Sequence, residues 1–432
     1  MAKRIYLPIW IKDRLNIKNL FLIHNLPIVM SSLKILFQFF CPLIIISSLQ
    51  AEVTQLGSMP DWEELDVFQE QISRTEFCNA LENVYCPREE WWRAWIVVEE
   101  NAVRVRKQAG KDEWLSIRFR KVDQKPRESS TGNLKNFNEL IIAIDPGHIG
   151  GEWSQMERRH FHLGADKPVK EGDLTYQVAQ RLQQKLEQTG AISSIIRHSG
   201  LPVTKRRPAD FMEEAREWVQ ARFGNEDNQS EEYLLQVQER AALLFYRVDE
   251  IQQRAKIINH SPAPDLVVCL HLNAAPWKND DQDTLVERND YHVLVNGCYM
   301  GGELAYDDQR FEMLLRLFSG WHKTELNVAE KIASAFDHLT PMPAFVYRGP
   351  NALKVGAVDG VWARNLLANR IYRAPVVFLE PYVVNSAISY EHLLLGEYEG
   401  EKVIHGVPRK CLIEEYAEAV FVGIQNSFPS GN

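Results

Sequence analysis

Three residues with the chemistry to bind a metal or move a proton stand at the ends of apolar runs that read as buried strands. That edge of an α/β sheet is where ligands bind. The chain leaves the run 140–144 into Asp145-Pro-Gly-His148-Ile-Gly-Gly151, a glycine-rich turn that presents an imidazole. The run 266–270 leads straight into His271-Leu-Asn273-Ala, a second imidazole at a strand end. Glu380 follows Pro375-Val-Val-Phe-Leu379. Two imidazoles and a carboxylate from separate elements are the raw material of an open catalytic zinc site, because Zn(II) takes neutral imidazole and carboxylate oxygen and keeps one position for water.

Each feature also has a plainer meaning, and their conjunction carries the argument. A lone histidine after a strand is usually a turn or core residue. A glycine-rich turn after a strand also suits a phosphate, yet no Gly-Lys-Ser/Thr trails it and no second glycine fingerprint exists. A Gly-x-Ser-x-Gly elbow for serine hydrolysis is missing. Five cysteines follow Ala51, an odd number with no Cys-x-x-Cys spacing, so they do not look like metal ligands. Cys78 and Cys86, eight apart, are spaced to bridge in an oxidising compartment.

The elements that must position these groups form an α/β pattern. Expected strands at 140–144, 191–197, 266–270, 292–295 and 375–379 alternate with helices at 174–188, 325–339 and 413–425. They predict a layered mixed or parallel sheet flanked by helices over 137–430. A long charged helical region fills 208–259. A small α+β domain precedes this, at 60–122. Leu65, Phe68, Ile72, Phe77 and Leu81 recur at helical spacing over 62–83, and strands are expected at 94–98, 102–106 and 114–119. Trp91, Trp92 and Trp95 of that domain would be a binding surface if exposed and core otherwise. Residues 123–136 have linker composition.

Composition sets the outer limits. The chain has 432 residues, 45% hydrophobic and 25% charged, which suits one large domain and a small one. Residues 1–51 carry six basic side chains against the single acid Asp13, leaving 43 basic and 57 acidic residues beyond them, a net charge of −14. That surplus argues against nucleic acid as a partner, because affinity for it rests on Lys and Arg neutralising phosphates. The mostly apolar stretch 33–49 reads as the core of a signal peptide ending near Ala51, too short for a comfortable membrane span. Met30-Ser-Ser-Leu-Lys34 supplies a conventional short n-region, which makes Met30 a candidate start. An uncleaved N-terminal anchor is the alternative, and Cys41 lacks the small residue that precedes a lipoprotein acceptor.

Taken together, residues 138–427 resemble the zinc-dependent N-acetylmuramoyl-L-alanine amidases, cell-wall hydrolases of amidase type 3. That family runs a strand into Asp-Pro-Gly-His-Gly-Gly, places a Glu at the next helix start, follows a buried strand with Ser-x-His-x-Asn-Ala, and ends a late strand in Glu. The counterparts here are Asp145 to Gly151, Val169-Lys-Glu171-Gly-Asp173, Cys269-Leu-His271-Leu-Asn273-Ala, and Pro375 to Glu380 with Asn385 beyond. The likeness implies one zinc per chain on His148, Glu171 and His271, Glu380 as catalytic acid/base, and Asn273 and Asn385 as substrate-binding residues. It also implies peptidoglycan as substrate, an activator protein as a further candidate partner, and secretion to the periplasm or cell envelope with no stable membrane span after signal cleavage. Arg254 matches an Arg near a family helix end, as a helical arginine with a carboxylate partner. Ile149 splits the family's Gly-His-Gly-Gly, Cys269 replaces its Ser, Pro381 replaces part of its final turn, and 152–168, 203–245 and 298–324 are inserts. Some members carry a helix over the zinc where 299–321 lies, and Glu303 is the acid placed to fill the open position; a lid or surface excursion is the plainer meaning. A zinc peptidase on another cell-wall amide and a non-catalytic wall-binding or regulatory protein are the competing readings.

Overall fold

The computed structural model describes residues 57–121, 124, 135–223, 230–260, 262–278 and 284–430. The expected signal segment and nearly all of the expected linker lie outside them.

The N-terminal unit closes on an antiparallel sheet of β1 (Ile96–Val98), β2 (Ala102–Arg106) and β3 (Trp114–Arg118), in that order. Its period of two is plain: Val103, Val105 and Ile117 are buried, while Arg104, Arg106 and Arg118 take the other face. The single helix expected over 62–83 is instead broken. A 3-10 helix spans Trp62–Phe68, α1 spans Arg74–Ala80, and a π turn follows at Leu81–Tyr85. The break has two causes: Glu70 takes a left-handed φ of 62°, and Ser73 with Glu76 forms a capping box that starts a new helix.

The main sheet is built from β4 (Ile141–Pro146), β7 (Ile192–Ile195), β8 (Leu266–Leu270), β9 (Val293–Val295), β10 (Leu353–Lys354), β11 (Val361–Ala363) and β12 (Val376–Leu379). The spatial order is β10-β11-β9-β12-β8-β4-β7. Strands β12, β8, β4 and β7 run parallel, whereas β9 lies antiparallel to β12. Between β4 and β7 come the hairpin of β5 (His160–Phe161) with β6 (Val169–Lys170) and the helix α2 (Glu171–Gln188). The long charged region folds as α3 (Met212–Phe223), α4 (Glu231–Leu243) and α5 (Glu250–Ile258). Further helices are α6 (Asp307–Ser319), α7 (His322–Leu339) and α8 (Leu412–Gln425).

Both faces of the sheet are covered, which is why its central strands read as unbroken apolar runs. Ile142, Ile144, Val268, Leu270, Val377 and Leu379 pack on α2, α7 and α8 through Val178, Leu182, Ile332 and Val420. The opposite face, Ala143, Val267, Cys269, Leu294 and Phe378, meets Ala255 and Ile258 of α5. The chain is thus a layered α/β fold with a mostly parallel sheet between helices.

The insert after β9 goes to the N-terminal unit. Tyr299, Leu304, Phe311, Leu314, Leu317 and Phe318 share one core with Trp62, Phe77, Leu81, Val103 and Ile117. Phe318 stacks on Phe68 at 5.6 Å, and Trp62 meets Phe311 edge-on at 5.5 Å. Buried Arg310 fastens α6 to the end of β2, donating to the carbonyls of Arg106 (2.9 Å) and Lys107 (3.0 Å). Trp95 is buried in this core, and Trp91 and Trp92 pack against it. The Cys78–Cys86 bridge does not form: all five described cysteines are free thiols, and the Cys86 thiol donates to the Tyr299 carbonyl at 3.2 Å. No helix among the described residues is long and apolar enough to cross a membrane.

Candidate metal centre

Strands β4, β8 and β12 are neighbours with their C-terminal ends in register, Pro146 opposite Leu270 and Leu270 opposite Leu379. His148, His271 and Glu380 follow those ends by one or two residues. Alternation sends His271 and Glu380 to the face of Cys269 and Phe378, and the His271 ring stacks on Phe378 with centroids 4.3 Å apart.

Two buried arginines hold the turn that carries His148. Arg254 of α5 donates to Asp145 Oδ1 (2.9 Å), to the Pro146 carbonyl (2.9 Å) and to the His148 carbonyl (3.0 Å), with its Nε on Glu250 (2.9 Å). Arg197 donates to the carbonyls of Pro146 (2.9 Å), Gly147 (3.0 Å) and Gly172 (2.6 Å). They stabilise an unusual backbone, for His148 has a left-handed φ of 57°, which costs a non-glycine residue about 1–2 kcal/mol. Gly147 is required by contact: a Cβ there would stand 2.2 Å from a ring carbon of His271. Gly172 is required too, since its Cβ would fall 2.4 Å from the Gly150 nitrogen. That approach docks the start of α2 on the turn and delivers Glu171.

Glu171 then links the imidazoles. Its Oε2 is 3.3 Å from His148 Nε2 and its Oε1 is 3.2 Å from His271 Nδ1, while Oε1 also accepts the Leu272 N–H at 3.0 Å. One donor atom from each of His148, Glu171 and His271 lies within 4.8 Å of the others, and the group can hold a metal ion. Behind His148, Glu157 accepts the N–H groups of Ile149 (2.9 Å) and Gly150 (3.1 Å) and stands 3.4 Å from Nδ1, where a carboxylate orients a ligating ring. On the open side, Arg159 places its Nε 3.0 Å from Glu171 Oε2 and 3.3 Å from His148 Nε2.

The electrostatics suit metal ligation. Burial, with Arg159, His271 and Arg254 nearby, holds His148 well below the usual imidazole range against the pull of Glu171, so the ring is neutral at neutral pH. Burial alone would raise Glu171, but His148, His271 and Arg159 outweigh it and bring the carboxyl to about 2. Glu380 goes the other way: burial and the Glu171 charge push it up to about 7, against His271, Arg159 and Arg364. The neutral His148 ring, the His271 imidazole beside it and the ionised Glu171 carboxylate are a donor set for Zn(II).

The remaining expected site residues serve other ends. Asn273 Oδ1 accepts the Ala274 N–H (2.8 Å), and its backbone pairs with the chain after β12 through Pro381 (3.2 Å) and Val384 (2.9 Å). Asn385 is buried, and both ends of its amide are engaged by Ala275, as donor at 2.8 Å and acceptor at 2.9 Å, so it clips two loops together. Glu303 accepts the Met300 N–H (2.8 Å) at the start of its own short helix, Gly301–Leu304, and does not belong to the metal-binding group. Sequence reading missed Glu157, Arg159 and Arg197. Glu157 and Arg159 lie in an insert and Arg197 stands two residues past the edge strand β7, and no spacing links any of them to the histidines.

No family model and no curated protein matches the chain. Solved structures that resemble it include the CwlD amidase from Clostridioides difficile in complex with the GerS lipoprotein, at 14% identity and a TM-score of 0.37, covering 67% of this chain and 98% of that one. The N-acetylmuramyl-L-alanine amidase Ami1 from Mycobacterium smegmatis has 14% identity and a TM-score of 0.37, covering 68% and 98%. The N-acetylmuramoyl-L-alanine amidase AmiC2 of Nostoc punctiforme has 14% identity and a TM-score of 0.35, covering 66% and 96%. Likeness this faint leaves the site to be judged on its own geometry.

Proposed function

We propose that this chain is a zinc-dependent N-acetylmuramoyl-L-alanine amidase, cleaving the amide between the lactyl group of N-acetylmuramic acid and the first L-alanine of the peptidoglycan peptide. One observation supports this above the rest: His148, Glu171 and His271 meet around a point where a metal fits, and Glu380 ends the adjacent strand on the same face. Zinc held by those three residues would supply Lewis-acid polarisation of an oxygen. Glu380 supplies the proton transfers. Its carboxylate takes a proton from the attacking water, then returns it to the departing L-alanine nitrogen, without which an amine is a very poor leaving group. Glu157 holds the His148 ring, and Arg254 and Arg197 hold the turn that presents it. Asn273, at the rim beside His271, is the remaining candidate for substrate contact.

The same reading places the protein in the periplasm or cell envelope, with residues 60–122 as an accessory domain and an activator protein as a candidate partner. Incubating purified chain with intact peptidoglycan, with and without a chelator, tests metal, substrate and bond together. The expected products are a glycan strand with free lactyl carboxylates and a released peptide with a new L-alanine N-terminus, formed only without chelator. Cleavage within the peptide would make the chain a zinc peptidase instead, and zinc binding without cleavage would make it a wall-binding protein.

A further inference from the structure

Arg159 stands where a metal would have to compete with it. Its place is fixed by backbone pairing: the β5–β6 hairpin sets His160 opposite Lys170, and the next pair outward is Arg159 with Glu171, closed by the Glu171 N–H to the Arg159 carbonyl at 3.2 Å. Residues directly opposite in an antiparallel pair project to the same side. The guanidinium therefore reaches Glu171 Oε2 at 3.0 Å and also comes within 3.3 Å of His148 Nε2. Those are two of the three groups that would hold the ion. Glu171 Oε1 is already bonded to the Leu272 N–H and paired with His271, which leaves Oε2 as the oxygen that both cations want. Arginine keeps its charge at every working pH.

We propose that Arg159 is a built-in competitor for the metal: its guanidinium pairs with Glu171 Oε2, and metal entry must displace it. The proposal rests on His148, Glu171 and His271 being a metal site, and it adds that the affinity of this site is set low by a residue of the same chain. Such a device keeps the site organised before loading, because the buried carboxylate is never left without a cation. It also lets the metal be gained or lost as conditions change.

The test is a zinc-affinity titration against a competing chelator on the full chain, comparing wild type with Arg159→Gln, Arg159→Lys and Arg158→Gln. Coupling of this kind is typically worth about 5- to 150-fold in affinity. Arg159→Gln should bind zinc at least about tenfold more tightly, with Arg159→Lys intermediate because it keeps charge but loses the Nε geometry. Arg158 points to Glu239 instead and should leave affinity unchanged when replaced. Unchanged or weaker zinc binding in folded Arg159→Gln overturns the proposal, weaker binding showing that Arg159 supports Glu171. Tighter binding in Arg158→Gln as well would reduce the effect to general charge and overturn it too. Absence of zinc binding in wild type and every variant removes the metal site itself, a failure distinct from unchanged affinity in a wild type that binds.

Discussion

Glu171 and Glu380 both feel the His271 imidazole, and their carboxyls are driven in opposite directions. Burial favours the neutral form of both, but Glu171 has Arg159 and two histidines to offset it, whereas Glu380 adds the repulsion of Glu171. Glu380→Gln should therefore keep zinc and fold while losing about 100- to 10,000-fold in turnover. Glu171→Gln should lose zinc as well, because it removes an anionic ligand; metal analysis beside product formation separates the two. The pH profile follows from the same carboxyl. While protonated, Glu380 cannot act as base, and a zinc ion beside it would lower its carboxyl from about 7, so the rate should climb with pH through a midpoint below that value, and Glu380→Gln should flatten the climb. His148, His271 and Glu380 were legible because each follows an apolar strand. Glu171 was found only through the family resemblance, because the apolar periodicity of its helix begins at Leu174 while the helix itself starts three residues earlier.

At the scale of elements, the site depends on how a turn and a helix start are pressed against a strand end. Gly147→Ala would force the His271 ring away, since the new methyl overlaps it, and overpacking of this kind costs about 1–3 kcal/mol. Loss of zinc together with a lowered Tm is the expected outcome, and normal zinc occupancy would contradict the contact. Arg254→Ala should be harsher. It leaves Asp145 and Glu250 buried without their cation, a class of change that costs about 3–5 kcal/mol, readable by denaturant unfolding. The long strands β4, β8 and β12 were visible in the sequence because burial on both faces makes them wholly apolar. Two- and three-residue strands such as β10 and β11 carry too few residues to show a period. Helix α6 shows no clean apolar period because it buries Asp307, Arg310 and Arg316 along with its apolar residues, the first two pairing within the helix and Arg316 pairing with Glu325 of α7.

The whole molecule ties two distant stretches of chain into one core, which changes what removing the 299–321 insert would do. Deletion takes Phe311, Leu314, Leu317 and Phe318 out of the core that also holds Phe77 and Val103. The expected outcome is a protein that is proteolysed at its N-terminal unit, not one with raised activity; a deletion that stays protease-resistant and gains activity would contradict this. Stability should also fall in acid. Burial holds His292 near 3 and His322 near 4, below the unfolded value of about 6.5. As pH drops below about 6.5 the unfolded chain takes up these protons first, so their contribution, full above that pH, is lost toward 4 and 3. Denaturant midpoints between pH 7.5 and 4.5 should fall, and His322→Phe should fall less.

That shared core has a consequence for the order in which the chain is made. Residues 62–119 leave the ribosome long before α6 does, and the whole first half of the main sheet is synthesised between them. Until Phe318 has emerged, the apolar side of β1–β3 is covered only in part, by Leu65, Phe77 and Leu81, and a nascent unit with such a face is exposed to aggregation. The first part of the protein to be synthesised is among the last to be finished, and any helper that shields a growing chain has to wait nearly three-quarters of its length to be released.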